Sequence, residues 1–177
     1  HQCQLFDAIT HDLPGARSVS NSAAILRHEQ LQSDVIRSGI MLYGSSPDYP
    51  SHSIQDWDLQ PAMSLRSELI AIQQLKAGDS VGYGSKFIAE SDMRVGIVAC
   101  GYADGYQRIT ATGTPILVDG QRSSLVGRVS MDMIAIDVTH IQAEIGTKVE
   151  LWGKSRLVDD VAAANGTIGY ELLCRLS

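Results

Sequence analysis

Hydrophobic and polar positions along this chain fall into two textures. Up to residue 44, apolar residues recur at helical spacing or gather in short unbroken runs. Leu5, Phe6, Ala8 and Ile9 predict the end of a helix that Pro14-Gly15 stops. A short strand is expected through Ser20, with a helical turn from Ala23. Val35 to Gly44 reads as a buried strand with glycines at its bends. This alternation of helix and buried strand points to a parallel α/β unit, as in a barrel segment. Residues 45–61 are polar and carry prolines, and are expected to form a linker with a domain boundary near residue 56.

Beyond the linker the period shortens. Ala62 to Ile72 alternates in part, and the runs 94–99, 114–118, 125–129, 133–138 and 149–153 are β-rich. Asp119-Gly120 is a hairpin signal. Val158 to Ala164 predicts a helix ending near Asn165-Gly166. Residues 56–155 therefore read as mostly antiparallel β.

Composition narrows the functional classes. Of 177 residues, 44% are hydrophobic and 19% charged, the profile of a globular protein with a real core. A net charge of -6 argues against a nucleic-acid partner. The longest apolar run, near Val95 to Cys100, is far short of a membrane span. Cys3, Cys100 and Cys174 form no pairable or zinc-like spacing, and the five histidines are scattered, so neither a disulfide framework nor a metal site is expected. A reducing, cytoplasmic setting follows. The chain starts at His1 in what reads as a helix already under way, as expected of part of a longer protein.

Three features suggest chemistry. Tyr83 lies between Gly82 and Gly84, so its ring is easily reached; it is either an ordinary half-exposed strand aromatic or a proton carrier. A phenol, with a pKa of about 10, becomes a useful base when positive charge or donors favour the phenolate. The Ser20-Asn21-Ser22 cluster offers hydroxyl and amide groups either as a helix cap or to an anion. Arg37, inside an apolar run, needs a carboxylate or a ligand acceptor.

At Gly101-Tyr102-Ala103-Asp104-Gly105-Tyr106 the pattern becomes specific. This stretch, VGYGSKF at 81–87 and VGRVSMDM at 126–133 resemble alanine racemase, as do SNSAA at 20–24, IRSGIMLYG at 36–44 and TIGYELLC at 167–174. The six stretches keep the family's order along the whole chain. The resemblance implies the last units of a (β/α)₈ barrel (1–55) followed by the family's C-terminal β domain (56–177). It also implies pyridoxal 5'-phosphate as cofactor, alanine as substrate, and a homodimer whose active site is shared between subunits.

Residue by residue, the resemblance makes Tyr83 one of the two bases that act on opposite faces of the substrate Cα. The other is a cofactor-anchoring lysine in a KANAYGHG-like stretch that this sequence does not contain; Lys76, Lys86, Lys148 and Lys154 lie in other settings. The isolated chain is therefore expected not to racemise. In the family, D-alanine presents its Cα proton to the lysine. Arg37 corresponds to the arginine facing the pyridine nitrogen. Ser22, Gly39 and Ile40 correspond to the phosphate cradle, with Tyr170 adding a hydroxyl. Tyr102 matches an entryway tyrosine. Met131 stands where a backbone N–H meets the substrate carboxylate, with Asp132 adjoining. Phe87 replaces a tyrosine common in relatives. A racemase of broader amino-acid range, or a β module acting only in dimerisation or binding, are the competing expectations.

Overall fold

The computed structural model describes residues 1–31 and 33–176, and of Leu31 the backbone alone. Chain contacts divide these residues into two units, His1–Gln60 and Pro61–Ser177.

In the first unit, α1 (Gln2–Thr10) precedes β1 (Ser20–Asn21), α2 (Ser22–Arg27) and β2 (Ile36–Arg37). Asn21 caps α2, its side-chain oxygen accepting from the Ala24 N–H at 3.1 Å. β1 and β2 pair in parallel, Ser20 beside Ile36 and Asn21 beside Arg37. The expected buried strand over Val35–Gly44 is not formed. Ile36 and Arg37 are both exposed, and the chain turns at Gly39 into a 3₁₀ turn over Ile40–Tyr43. Two residue pairs cannot carry a ladder through the whole apolar run, and among the described residues nothing covers its outer face. The stretch after residue 44 is folded rather than an extended tether. Ser45, Ser46 and Ile54 are buried. The Ser46 hydroxyl donates to the His52 carbonyl at 2.7 Å, and the Asp48 carboxylate takes both His52 Nδ1 at 2.6 Å and Arg27 at 3.2 Å.

The second unit opens with β3 (Leu65–Leu75), whose alternation is partly kept: Leu69 faces the core, while Arg66, Glu68 and Ile70 face outward. A small hairpin, β4 (Ser80–Val81) with β5 (Phe87–Ile88), carries Tyr83 at its tip. Then follow β6 (Met93–Val98), β7 (Pro115–Val118), β8 (Gln121–Val126), β9 (Ile134–Asp137) and β10 (Lys148–Trp152). The six longer strands close into an antiparallel barrel in the order β10-β3-β6-β9-β8-β7. The hairpin expected at Asp119-Gly120 is present, with both residues at positive φ, 47° and 75°, pairing Val118 with Gln121. β8 lies earlier than the run 125–129 suggests, because the chain leaves the sheet at Gly127. The core holds Leu69, Val98, Ile116, Leu125, Ile136, Leu151 and Trp152, with Tyr106 stacked on Trp152 at 5.9 Å. α3 (Val158–Ala164) and α4 (Gly169–Cys174) pack on it through Val161, Ala162 and Leu172.

Candidate active site

The candidate residues fall into one cluster in each unit. In the first, the parallel pairing of β1 with β2 brings residues 22 and 39 side by side. The Gly39 N–H donates to the Ser22 hydroxyl at 2.9 Å, and Ser22 is buried. That hydroxyl keeps its own proton free to donate elsewhere. Ile40, also buried, begins the turn that follows. Arg37 is exposed within this unit, so the buried guanidinium expected from the apolar run is not found; its Nη1 donates to the Ser18 carbonyl at 2.6 Å and the Ser18 hydroxyl at 2.8 Å. Both acceptors are neutral, and among the described residues no carboxylate pairs with the guanidinium. The Ser22 hydroxyl, oriented by the Gly39 N–H, and the Arg37 guanidinium flank one short parallel pair and form a donor set that fits an anionic group such as a phosphate.

In the second unit Tyr83 sits in a tight turn rather than in a strand, with 74% of its surface open. Gly82 and Gly84 adopt φ of 77° and 74°, which a side-chain-bearing residue enters only under strain. The turn presents the phenol outward, away from any core role.

Tyr102 and Met131 lie on two loops clamped together. The Tyr102 N–H donates to the Ser130 carbonyl at 3.0 Å and the Ala103 N–H to the Met131 carbonyl at 2.8 Å. The clamp depends on Gly101, where a Cβ would stand 2.4 Å from the Met131 oxygen. Asp104 ties the loop to itself, accepting from the Gly101 N–H at 2.8 Å. At the far end a Cβ on Gly105 would lie 2.6 Å from the Arg175 oxygen, so the same loop abuts the end of the helix that carries Tyr170. Tyr102, Met131, Asp132 and Tyr170 are all exposed. Sequence reasoning missed the part played by Gly101 and Gly105; the signal available was a glycine at each end of the 101–105 stretch.

The buried groups nearby are chemically quiet. Burial, with Asp104 adding to it, pushes the Cys100 thiol up to about 12. Burial pushes the Tyr106 phenol upward as well, so it stays protonated, whereas Tyr43, Tyr83, Tyr102 and Tyr170 are exposed, Tyr83 the most at 74%. The hydrogen bond from Thr167, with Arg175 behind it, holds the Glu171 carboxyl below its usual range. Among the described residues no group of three or more His, Cys, Asp or Glu side chains could hold a metal ion, and no helix is long and apolar enough to cross a membrane.

A short α/β segment bearing anion donors, followed by an antiparallel β domain with an outward phenol, defines a chain of the barrel-plus-β class. Residues 62–177 match the family model for the alanine racemase C-terminal domain, and residues 1–47 that for the alanine racemase N-terminal domain. The chain belongs to the alanine racemase family. It is 62% identical over 184 residues to the alanine racemase of Acinetobacter baumannii (strain SDF), covering 100% of this chain and 50% of that protein. With the alanine racemase of Polaromonas naphthalenivorans it shares 57% over 186 residues, covering 99% and 51%. Among solved structures it resembles the biosynthetic alanine racemase from Pseudomonas aeruginosa, with a TM-score of 0.92, 48% identity and coverage of 99% and 49%. The alanine racemase from E. faecalis gives 0.88 and 36%, covering 99% and 48%. The chain spans about half the length of the curated relatives it matches. The expected fold class, the end of a barrel followed by a mostly antiparallel β domain, is the fold of these neighbours.

Proposed function

We propose that this chain works as part of a cytoplasmic, homodimeric alanine racemase that interconverts L- and D-alanine on pyridoxal 5'-phosphate. The observation that carries the reading is Tyr83: an exposed phenol on a turn built by two left-handed glycines, in a chain of this family. Residues 1–55 would contribute the last part of the cofactor barrel, and residues 56–177 the β domain.

Ser22, with the backbone of Gly39 and Ile40, would hold the cofactor phosphate, and Tyr170 would add its hydroxyl. Arg37 would face the pyridine nitrogen; a guanidinium does not surrender its proton, so Arg37 would leave that nitrogen unprotonated. When bound, the cofactor supplies an electron-withdrawing conjugated system that makes the substrate Cα proton removable. Tyr83 would take or return that proton at its phenolic oxygen on one face of Cα, from the β domain of one subunit into the barrel of its partner. A lysine outside this chain would act on the other face. The Met131 N–H, with Asp132 beside it, would orient the substrate carboxylate, and Tyr102 would line the way in.

The test is conversion of L-alanine by the purified full-length protein with and without added cofactor, alongside its Ser22→Ala variant. Racemisation that depends on the cofactor, with weaker cofactor binding in the variant, is the expected result. Conversion of serine as fast as alanine would favour the broader racemase. No conversion of any amino acid would leave only a binding or dimerisation module and overturn the proposal.

A further inference from the structure

The turn that carries Tyr83 does not hold itself. Gly82, Gly84 and Ser85 all lie at positive φ, and the hairpin beneath them pairs two residues on each side. Within the turn, the Ser85 N–H reaches the Gly82 carbonyl at 3.3 Å and the Ser80 and Ser85 hydroxyls meet at 3.0 Å. An exposed turn with so few bonds of its own takes its position from whatever it leans on.

It leans on Arg128. A Cβ on Gly82 would stand 3.4 Å from the Arg128 backbone nitrogen, and one on Gly84 would stand 3.7 Å from the Arg128 guanidinium. From the other side, a Cβ on Gly127 would stand 3.1 Å from the Val81 carbonyl oxygen. Gly82 and Gly127 thus each face backbone of the opposite loop, and Gly84 faces the guanidinium. The two supports differ in firmness. Arg128 lies between Gly127 and Val129, both buried, and follows the barrel residue Val126, whereas Tyr83 and its neighbours are exposed. Arg128 itself is exposed and forms no ion pair with any described carboxylate. Among the described residues its guanidinium lies against the Tyr83 turn.

We infer that Arg128 is a positioning residue for Tyr83: its backbone and guanidinium form the wall that fixes the Gly82–Ser85 turn and so fixes where the phenol stands. The inference rests on the reading of Tyr83 as a proton carrier. A base displaced by about 1 Å can lose about 10²-fold in rate, so a loosened wall is read in turnover rather than in substrate binding.

The experiment uses the full-length enzyme, with Arg128→Ala, Arg128→Lys and Tyr83→Phe measured side by side. Arg128→Ala is expected to lower kcat by about 10–100-fold, to leave KM for alanine and Tm essentially unchanged, and to speed amide hydrogen exchange at Gly84 and Ser85. Arg128→Lys, which keeps the stem and the charge, is expected to recover part of both the rate and the exchange protection. Unchanged kcat and unchanged exchange in Arg128→Ala would overturn the wall while leaving Tyr83 as the base. A raised KM with normal kcat would overturn it too, by making Arg128 a substrate contact. A lower Tm with normal turnover per folded molecule would do the same, by making it a structural prop. Full racemisation by Tyr83→Phe would instead overturn the role of Tyr83, and with it the catalytic meaning of the wall.

Discussion

Residues 61–177 and residues 1–60 solve the same problem unequally. The later unit closes six strands into a barrel with no open edge and surrounds a core that includes Trp152, Tyr106, Leu69 and Ile136. The earlier unit pairs two strands of two residues each, buries Ile40 and Ile54, and leaves Leu5, Ile9, Leu13, Val35, Ile36 and Leu42 exposed. Its best-defined feature is polar: the Ser22–Gly39 contact and the Arg37–Ser18 bonds. A self-sufficient core and a well-formed donor set are thus separate properties. One unit supplies a packed barrel under the loops that carry Tyr83, Tyr102 and Met131, and the other presents its polar groups on little core of its own.

The largest expected effect separates the two units outright. Expressed alone, residues 61–177 are expected to melt cooperatively, whereas residues 1–60 alone are expected to give no cooperative transition by circular dichroism. Within residues 61–177, Trp152→Ala should cost about 3–5 kcal/mol in chemical denaturation, while Leu5→Ala in the whole chain should stay within about 0.5 kcal/mol. Cooperative melting of residues 1–60 would break the comparison.

A smaller effect falls on the clamp. Gly101→Ala places a methyl group 2.4 Å from the Met131 oxygen and 2.5 Å from the Ser130 oxygen, backbone atoms that cannot swing aside. A loss of about 1–3 kcal/mol is expected in chemical denaturation, with faster exchange of the Tyr102 and Ala103 amides. Wild-type stability and exchange would mean that the two loops are not interlocked.

Smaller still is the alkaline response of Cys100. Below an ordinary thiol value of 9.0 the folded and unfolded chains both carry the neutral thiol, and its contribution to stability is level. As pH rises from there toward about 12, the unfolded chain ionises first and the folded state loses stability. Cys100→Ala should flatten that part of the stability curve. At neutral pH an alkylating reagent should modify exposed Cys174 and leave Cys100 untouched until the chain unfolds. Rapid native-state labelling of Cys100 would contradict the packing described for this loop.

What the sequence made legible was local. The spacing of Leu5, Phe6 and Ile9 marked the first helix, Asp119-Gly120 marked a hairpin, and the partial alternation over residues 62–72 marked a long strand. The glycines around Tyr83 pointed to an accessible ring, and its placement in a turn rather than a strand is settled by their positive φ. What stayed hidden depends on residues far apart. Barrel closure rests on the pairing of Val149 with Val118 and of Glu150 with Leu117, which no local period encodes. The need for glycine at 101 comes from a carbonyl at 131, and the wall at Arg128 is visible only once residues 82 and 84 are folded against it. The run Val35–Gly44 misled because an apolar stretch states that burial is wanted, not which part of the chain provides it.

The central claim is that Tyr83 works on one face of the substrate Cα and on one face only. Its most direct test is Cα hydrogen–deuterium exchange of L- and D-alanine in the full-length Tyr83→Phe enzyme, measured with racemisation on the same folded preparation. General acid–base loss costs about 10²–10⁴ in rate, so racemisation should fall by at least that factor in both directions. Exchange should survive better for D-alanine, whose proton is read as facing the lysine, while stability stays within about 0.5 kcal/mol of wild type. Near wild-type racemisation, or equal loss of exchange for both enantiomers, would contradict the account and turn attention to Tyr102.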